Sequence, residues 1–315
     1  MPEIKIIMGF PASGKTTRCK NYEAQGFIRC NRDLHGGKLI DLLKSVETQI
    51  ETGNSVVLDN TYATAESRQA VINIAKKHNV PIHLEIMSTS IEEAQFNACL
   101  RAIQQYGKLL DTAELRATKN PNMFPAAVLF AYRKNLEEPT SKEGFDSITH
   151  IPFVRKDQGY TNKGIIFDYD GTLRTTKSGA KYPTSIDDIA LLPNRQTVLS
   201  QIPKEYTLCG VSNQSGVAKG VMSNDTAKAL FDHTNQLLEK NIDYAYCPHS
   251  PMPISCFCRK PMPGLGVAFM EKYKLDLTKT IMVGDLKSDR TFATRMGIRF
   301  VEAETFFANH IHYLP

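Results

Sequence analysis

The chain lacks any apolar run approaching the roughly 18 residues that a membrane-spanning helix needs, so no membrane association is expected. Nor is a leader expected: Met1-Pro2-Glu3-Ile4-Lys5-Ile6-Ile7-Met8 passes straight into a glycine-rich motif at Gly9. That leaves no room for a signal peptide, and cytoplasmic residence follows as an expectation. Internal repeats and low-complexity tracts are missing too, which argues against solenoids and biased linkers. Charge of one sign is scarce, since 38 Lys and Arg stand against 33 Asp and Glu. The resulting +5 suits a polyanionic partner without requiring one. The seven cysteines are an odd number. Three of them cluster with a histidine between Cys247 and Cys258, which in a cytoplasmic protein reads as metal binding rather than a disulfide framework.

What is present is 315 residues, 42% apolar and 23% charged. This is the profile of a soluble globular protein, with length for two domains of about 150 residues each. Short apolar runs predict strands at Ile4–Met8, Phe27–Cys30, Ser55–Leu58 and Pro81–Met87, separated by helical stretches such as Leu39–Glu51 and Glu66–His78. Such alternation implies a parallel α/β sheet. A second alternation begins at Gly164, with strand candidates Gly164–Phe167, Thr207–Val211, Tyr244–Tyr246, Thr280–Val283 and Ile298–Glu302. The stretch Ile148–Val154 reads as one last strand of the first domain. The expected organisation is therefore 1–156, a linker over 157–162, and 163–315.

Gly9-Phe10-Pro11-Ala12-Ser13-Gly14-Lys15-Thr16 matches the P-loop pattern in full, between an apolar strand and a helix-like segment. The glycines let backbone N–H groups wrap phosphate, and the helix N-terminus adds positive partial charge. Ser13, Gly14 and Thr17 complete the expected nucleotide cradle. Lys15 should reach the β/γ-phosphates of ATP, and Thr16 should coordinate Mg2+. Asn31-Arg32-Asp33 closes the second strand and Asp59-Asn60-Thr61 the third, both at the sheet edge where ligands bind. Asp33 could take the proton of an attacking hydroxyl; an ordinary helix-cap aspartate is the alternative. Asp59 could hold magnesium or orient Arg32.

This set, with Arg68 after the third strand, resembles the 5′-kinase domain of the polynucleotide kinase-phosphatase family. The resemblance implies that Asp33 is the general base, that Arg32, Asp59 and Arg68 serve the substrate, and that a lid arginine closes over ATP. Arg101 is the lid candidate, with Arg116 or Arg133 as substitutes. The family's earlier Arg-Asn pair reads Phe96-Asn97 here.

In the second half, Ile165-Ile166-Phe167-Asp168-Tyr169-Asp170-Gly171-Thr172-Leu173 is an apolar strand ending in Asp-x-Asp-Gly-Thr-Leu. It resembles motif I of the haloacid dehalogenase superfamily. Asp168 would attack phosphorus, and Asp170 would protonate the leaving oxygen and later activate water. Ser212 and Asn213 end the next strand, Arg259 and Lys260 follow, and Asp285 with Asp289 comes after the fourth. Ser212, Thr172, Asn213 and Arg259 are expected around the substrate. Lys260 should neutralise charge, and Asp168, Asp170 and Asp285, supported by Asp289, should hold Mg2+. Only 44 residues separate Asp168 from Ser212 and 48 separate Ser212 from Lys260, so no large cap domain fits. The expected architecture is thus a P-loop kinase-like sheet followed by an uncapped, Rossmannoid haloacid dehalogenase-like phosphatase. Thr175–Gly179 and Tyr182-Pro183-Thr184 resemble the same region of animal DNA 3′-phosphatases.

Cys247-Pro248-His249 and Cys256-Phe257-Cys258 place four soft ligands within twelve residues, which suits a structural tetrahedral Zn2+. The loop resembles that of heptose bisphosphate phosphatases. The expected function is end healing of DNA or RNA, by phosphorylation of 5′-hydroxyls with ATP and removal of 3′-phosphates. A fused sugar kinase and sugar phosphatase is the alternative.

Overall fold

The computed structural model describes residues 1–31, 39–252 and 256–314. It divides into two compact units, Met1–Asn97 with Lys119–Arg155, and Ala98–Thr118 with Lys156–Pro315. Among the described residues, no helix is long and apolar enough to cross a membrane.

The first unit is built on five parallel strands: β1 (Ile4–Met8), β2 (Ile28–Cys30), β3 (Val56–Asp59), β4 (Ile82–Met87) and β5 (Ser147–Ile151). Their spatial order is β2-β3-β1-β4-β5. Continuous aliphatic runs are what a strand covered on both faces requires, and Ile4, Ile6, Val56, Leu58, Ile82 and Leu84 are all buried. Ile6 lies opposite Leu58 on one side and Leu84 on the other. The main helices are α1 (Lys15–Glu23), α2 (Leu39–Glu51), α3 (Ala65–His78), α4 (Ile91–Tyr106, which runs on into the second unit) and, beyond the short α5 (Thr112–Ala117), α6 (Ala127–Asn135). The Thr64 hydroxyl caps α3 by accepting from Ser67 N, and Asn79 in left-handed geometry ends it.

The second unit repeats the plan with β6 (Asn162–Phe167), β9 (Tyr206–Asn213), β10 (Asp243–Cys247), β11 (Leu275–Gly284) and β12 (Arg299–Glu302), ordered β10-β9-β6-β11-β12. A two-stranded antiparallel hairpin, β7 (Arg174–Thr176) with β8 (Ile189–Leu191), follows the first turn. Helices α7 (Arg195–Gln201), α8 (Ser215–Ala218), α9 (Asn224–Leu238), α10 (Gly264–Tyr273), α11 (Lys287–Met296) and α12 (Ala303–Ala308) complete the unit. Its core joins Ile165, Phe167 and Tyr169 to Phe231, Val283 and Phe306.

In each sheet the first strand is central and its two neighbours continue in opposite directions. The crevice beyond its carboxyl end is the topological switch point where open α/β sheets bind ligands. The P-loop leaves β1 there, and Asp168 leaves β6 there.

Candidate functional site

At the end of β1 the chain must turn sharply. Gly9 has φ 153°, and a Cβ there would stand 2.9 Å from both Met87 Cβ and Ser13 Oγ. No other residue fits that backbone without displacing its neighbours. Ala12 is left-handed at φ 63°, strain of the kind held at functional sites. Thr89 Oγ1 donates to Ser13 O at 3.0 Å and Asn97 Nδ2 to Ala12 O at 3.0 Å, so the loop is braced from the β4 side. Lys15 is buried, with Nζ donating to Gly9 O at 3.0 Å and Phe10 O at 2.7 Å.

The buried Ser13 Oγ has no hydrogen-bond partner among the described residues. An orphaned hydroxyl inside a ring of loop amides is what a phosphate oxygen would satisfy, so the residues fit ATP. Thr16 Oγ1 donates to Asp59 Oδ2 at 2.9 Å, bringing together a P-loop threonine and a β3 carboxylate of the kind that hold Mg2+. The Arg29 guanidinium also pairs with Asp59, and Asn31 Nδ2 donates to the Asp59 carbonyl. Arg32 and Asp33 lie outside the described residues. Thr17 is exposed on the first turn of α1.

Two arginines depart from expectation. Arg68, expected at the substrate, is fully buried. It donates to Glu143 Oε2 at 2.8 Å and Oε1 at 2.9 Å, and to Tyr62 O at 3.0 Å. Its donors are consumed inside the unit, and it braces α3. Arg101, expected on a lid, is partly buried, belongs to the second unit, and has its pKa lowered by burial. Arg133 stands on α6 next to Tyr132, whose ring packs 4.6 Å from Phe10 of the P-loop.

In the second unit, Asp168, Asp285 and Asp289 bring carboxylate oxygens within 4.8 Å of one another. Lys260 Nζ contacts Asp168 Oδ1, reaches Asp289 Oδ1 at 2.8 Å and donates to Val211 O at 2.9 Å. Burial pushes Asp168 up to about 7, against the pull of Lys260 and aided by Asp289 and Asp170. Burial also raises Asp285, with Asp289 adding to it. Burial alone would lower Lys260, but Asp168 and Asp289 outweigh it and the net shift is upward. One ammonium cannot satisfy three desolvated carboxylates, so the cluster fits a divalent oxygen-seeking cation such as Mg2+. Gly171, at φ 88°, is needed beside it, because a Cβ there would lie 2.5 Å from Asp285 Oδ2.

Asp170 is the correction in this set. Its carboxylate is outside the three-acid cluster, where a metal ligand was expected. Oδ1 accepts from Arg174 Nε at 2.7 Å and Oδ2 from Gln214 Nε2 at 3.0 Å. Asp289, expected only as support, takes the third place. Thr172 and Asn213, expected at the substrate, have structural partners. Thr172 Oγ1 donates to Asp285 Oδ1 at 3.3 Å. Asn213 exchanges two 2.9 Å bonds with the Lys260 backbone. Ser212 is buried and accepts from Gln214 Nε2 at 2.9 Å. Arg259 Nη1 donates to His249 O at 3.3 Å. Sequence reasoning missed Arg174 and Gln214, although Arg174 lies four residues after Asp170 and Gln214 two after Ser212. Arg29 was missed too, and a short strand with one arginine between Ile28 and Cys30 gave no signal for it.

At the end of β10, Cys247 Sγ lies 3.7 Å from Cys256 Sγ and 3.4 Å from His249 Nδ1, which lies 3.2 Å from Cys258 Sγ. A tetrahedron with Zn–S of about 2.3 Å and Zn–N of about 2.0 Å has S···S edges near ~3.8 Å and S···N edges near ~3.5 Å. The donor set and its spacing therefore fit zinc. Hydrogen bonds from Cys247 and Cys258 hold the Cys256 thiol well below its usual range, and the same contacts push Cys247 and Cys258 up.

The family model described as Polynucleotide kinase 3 phosphatase matches residues 163–307, and that described as AAA domain matches 4–137. A bifunctional polynucleotide phosphatase/kinase of Schizosaccharomyces pombe is 30% identical over 152 residues, covering 48% of this chain and 34% of that protein. The two halves of the chain thus resemble, in turn, a P-loop domain and a polynucleotide kinase 3 phosphatase. The chain combines a P-loop kinase domain, which implies ATP and Mg2+, with a haloacid dehalogenase-superfamily phosphatase domain. A probable D-glycero-D-manno-heptose-1,7-bisphosphate 7-phosphatase of Thermoplasma volcanium is also similar, 32% identical over 144 residues, 44% of this chain and 96% of that protein. Among solved structures, a B. bronchiseptica D,D-heptose 1,7-bisphosphate phosphatase matches with TM-score 0.41 and 24% identity, covering 48% of this chain and 99% of that chain. The matched part spans about a third of the fission-yeast protein, and the similarities leave the substrate open.

Proposed function

We propose that this enzyme heals nucleic-acid ends, phosphorylating 5′-hydroxyls with ATP and hydrolysing 3′-phosphates. The observation that carries this reading is the union on one chain of a P-loop kinase with a phosphatase of the type described as Polynucleotide kinase 3 phosphatase. Lys219 and Lys287 support it. Both are exposed on the short segments that follow β9 and β11 at the carboxyl edge of the second sheet and have no ion-pair partner among the described residues. Uncompensated cations around a phosphatase mouth suit a substrate carrying further phosphates.

The kinase is the first unit, 1–97 with 119–155, rather than all of 1–156, and the phosphatase lies in the second unit after a linker over 157–162, with 98–118 packed into that unit. In the kinase, Gly9, Ser13, Gly14, Lys15, Thr16 and Thr17 bind ATP, with Arg133 closing over it. Asp33 is the general base, and Arg32 and Asp59 order the acceptor end. In the phosphatase, Asp168 attacks phosphorus and forms an aspartyl-phosphate, with Ser212 on the phosphoryl oxygens. Lys260 holds the Asp168 carboxylate, and Arg259 reaches the substrate. Asp170 protonates the leaving oxygen and then takes a proton from water. Magnesium, held by Asp168, Asp285 and Asp289, supplies charge neutralisation that lets two anions meet. Zinc held by Cys247, His249, Cys256 and Cys258 fixes the loop that ends in Arg259 and Lys260. The free thiols of Cys19, Cys30, Cys99 and Cys209 suit a reducing cytoplasm.

A second reading, sugar kinase with sugar-phosphate phosphatase, is favoured by the Cys/His cluster and by the heptose bisphosphatase relatives. One assay separates the two: labelled ATP with a 5′-hydroxyl oligonucleotide, and a 3′-phosphate oligonucleotide against a panel of sugar phosphates. Turnover of both oligonucleotides is expected. Turnover of sugars alone would replace this reading with the second.

A further inference from the structure

Arg174 is among the largest fully buried side chains in the protein, 1% exposed, and it is a cation. A charge is kept in such a place only when paired and hydrogen-bonded. Its ion-pair partner is Asp170, through Nε to Oδ1 at 2.7 Å. The far side of the guanidinium is anchored to α9, with Nη1 donating to Leu230 O at 2.7 Å and Thr234 Oγ1 at 2.9 Å. Phe231 covers it at 4.8 Å. The backbone turn closes on itself as well, since Gly171 N donates to Arg174 O at 2.9 Å. Arg174 is therefore fixed at both ends, and what it fixes is one oxygen of Asp170.

An arginine has donors only. Oδ1 faces Arg174 Nε–H, a donor toward which a proton of its own could not point. Oδ2 faces the Gln214 amide, and an amide can present either N–H or C=O after a flip. We infer that Arg174 is a positioning residue that reserves Asp170 Oδ1 and leaves Oδ2 as the oxygen that handles the proton, with Gln214 matching either state. This rests on the proposed acid role of Asp170.

In the first half-reaction, Asp168 oxygen bonds to phosphorus and the bond from phosphorus to the leaving oxygen breaks. The Oδ2 proton moves to that oxygen, leaving Asp170 anionic. In the second, Oδ2 takes a proton from water as the water oxygen bonds to phosphorus, releasing inorganic phosphate and Asp168. A displaced Asp170 would still be an acid, aimed wrongly.

The test uses the leaving group. An alkyl phosphate needs its leaving oxygen protonated, whereas 2,4-dinitrophenyl phosphate does not. The value of kcat/KM reports only steps up to transfer onto Asp168, so the later base role does not enter. The full-length protein and its Arg174→Met, Arg174→Lys and Asp170→Asn variants are assayed with both esters, using the alkyl phosphate that wild type hydrolyses fastest. We expect Arg174→Met to lose about 100-fold on the alkyl ester, the low end for general acid catalysis, and to keep the dinitrophenyl activity within about threefold. Arg174→Lys should recover part of the alkyl activity. Equal losses on both esters, or no loss on either, would overturn the inference. If Arg174→Met does not fold, the same split or its absence in Arg174→Lys decides. If Asp170→Asn shows no split, the acid reading of Asp170 has failed, and the clamp falls with it. A split in Asp170→Asn without one in Arg174→Met refutes the clamp alone.

Discussion

Magnesium binding to the phosphatase half should release a proton near neutral pH. Burial raises Asp168 to about 7, with Asp289 and Asp170 reinforcing it beyond what Lys260 withdraws. Below that pH the metal-free carboxyl is largely protonated, and a cation must displace the proton to bind. At pH 5.5 a group with that pKa is ionised about 3% of the time and at pH 8 about 90%, so the affinity should drop about 30-fold between them. The sign for stability follows. The native state holds a proton that the unfolded chain releases between about pH 4 and 7, so this carboxyl's contribution is fully present below about 4 and is lost as pH rises through 7. Titration calorimetry of Mg2+ without ATP, in two buffers of different protonation enthalpy, reads the released proton directly. Asp168→Asn supplies the reference for both binding and unfolding. An affinity independent of pH over this range, or the same proton release in Asp168→Asn, would refute the reasoning.

Three further outcomes are expected. Glu143→Ala strips Arg68 of bonds at 2.8 and 2.9 Å while leaving it buried. Breaking a buried pair costs about 3–5 kcal/mol, and because Glu143 is partly exposed we expect about 3 kcal/mol in urea unfolding; an Arg68→Met/Glu143→Leu double variant that folds but loses acceptor binding would return Arg68 to a substrate role. Purified protein should contain about one zinc per chain, and Cys256→Ser should lose it and impair the phosphatase while sparing the kinase; active enzyme free of zinc would remove that assignment. Lys15→Ala and Asp33→Asn should cut kinase activity with the phosphatase intact, Asp33→Asn by about 100- to 10,000-fold, whereas Asp168→Asn should do the reverse; both activities failing together in any one of them would tie the two constellations to each other.

The strands most legible in the sequence are those buried on both faces. Ile4–Met8 is observed as expected, because a run of aliphatics there admits no other reading. The last strand of the first unit is shorter than Ile148–Val154, ending at Ile151, since Pro152 offers no N–H to continue the ladder. β11 is longer than Thr280–Val283, because a register shift between Leu275 and Thr280 carries the pairing past polar Thr278 and Lys279. The β7–β8 hairpin is three residues a side, too short for any periodic signal. In the sites, residue types dictated by chemistry could be found from their spacing. Their supporting partners could not: Glu143 lies 75 residues from Arg68 and Gln214 lies 44 from Asp170, and such pairs come from the fold rather than from a local pattern.

The arrangement of the second sheet explains why two aspartates two residues apart have different surroundings. Motif order along the chain is not order in space. The strand ending in Asp168 lies beside β11, with Phe167 opposite Val283, so Asp285 arrives at the neighbouring strand end although 117 positions separate the two carboxylates in the chain. Asp289 follows on the first turn of α11 and closes the three-acid cluster. On its other side β6 lies against β9, whose carboxyl end brings Ser212 and, just beyond it, Gln214. Asp170, past the turn at Gly171, is held on that side by Gln214 and by Arg174. Under the proposed roles, the cation-binding half of the chemistry falls on the β11 side of the switch point and the proton-handling half on the β9 side. A carboxylate that shared the metal could not also be free to give up a proton, and the sheet order separates these two demands with a single glycine turn.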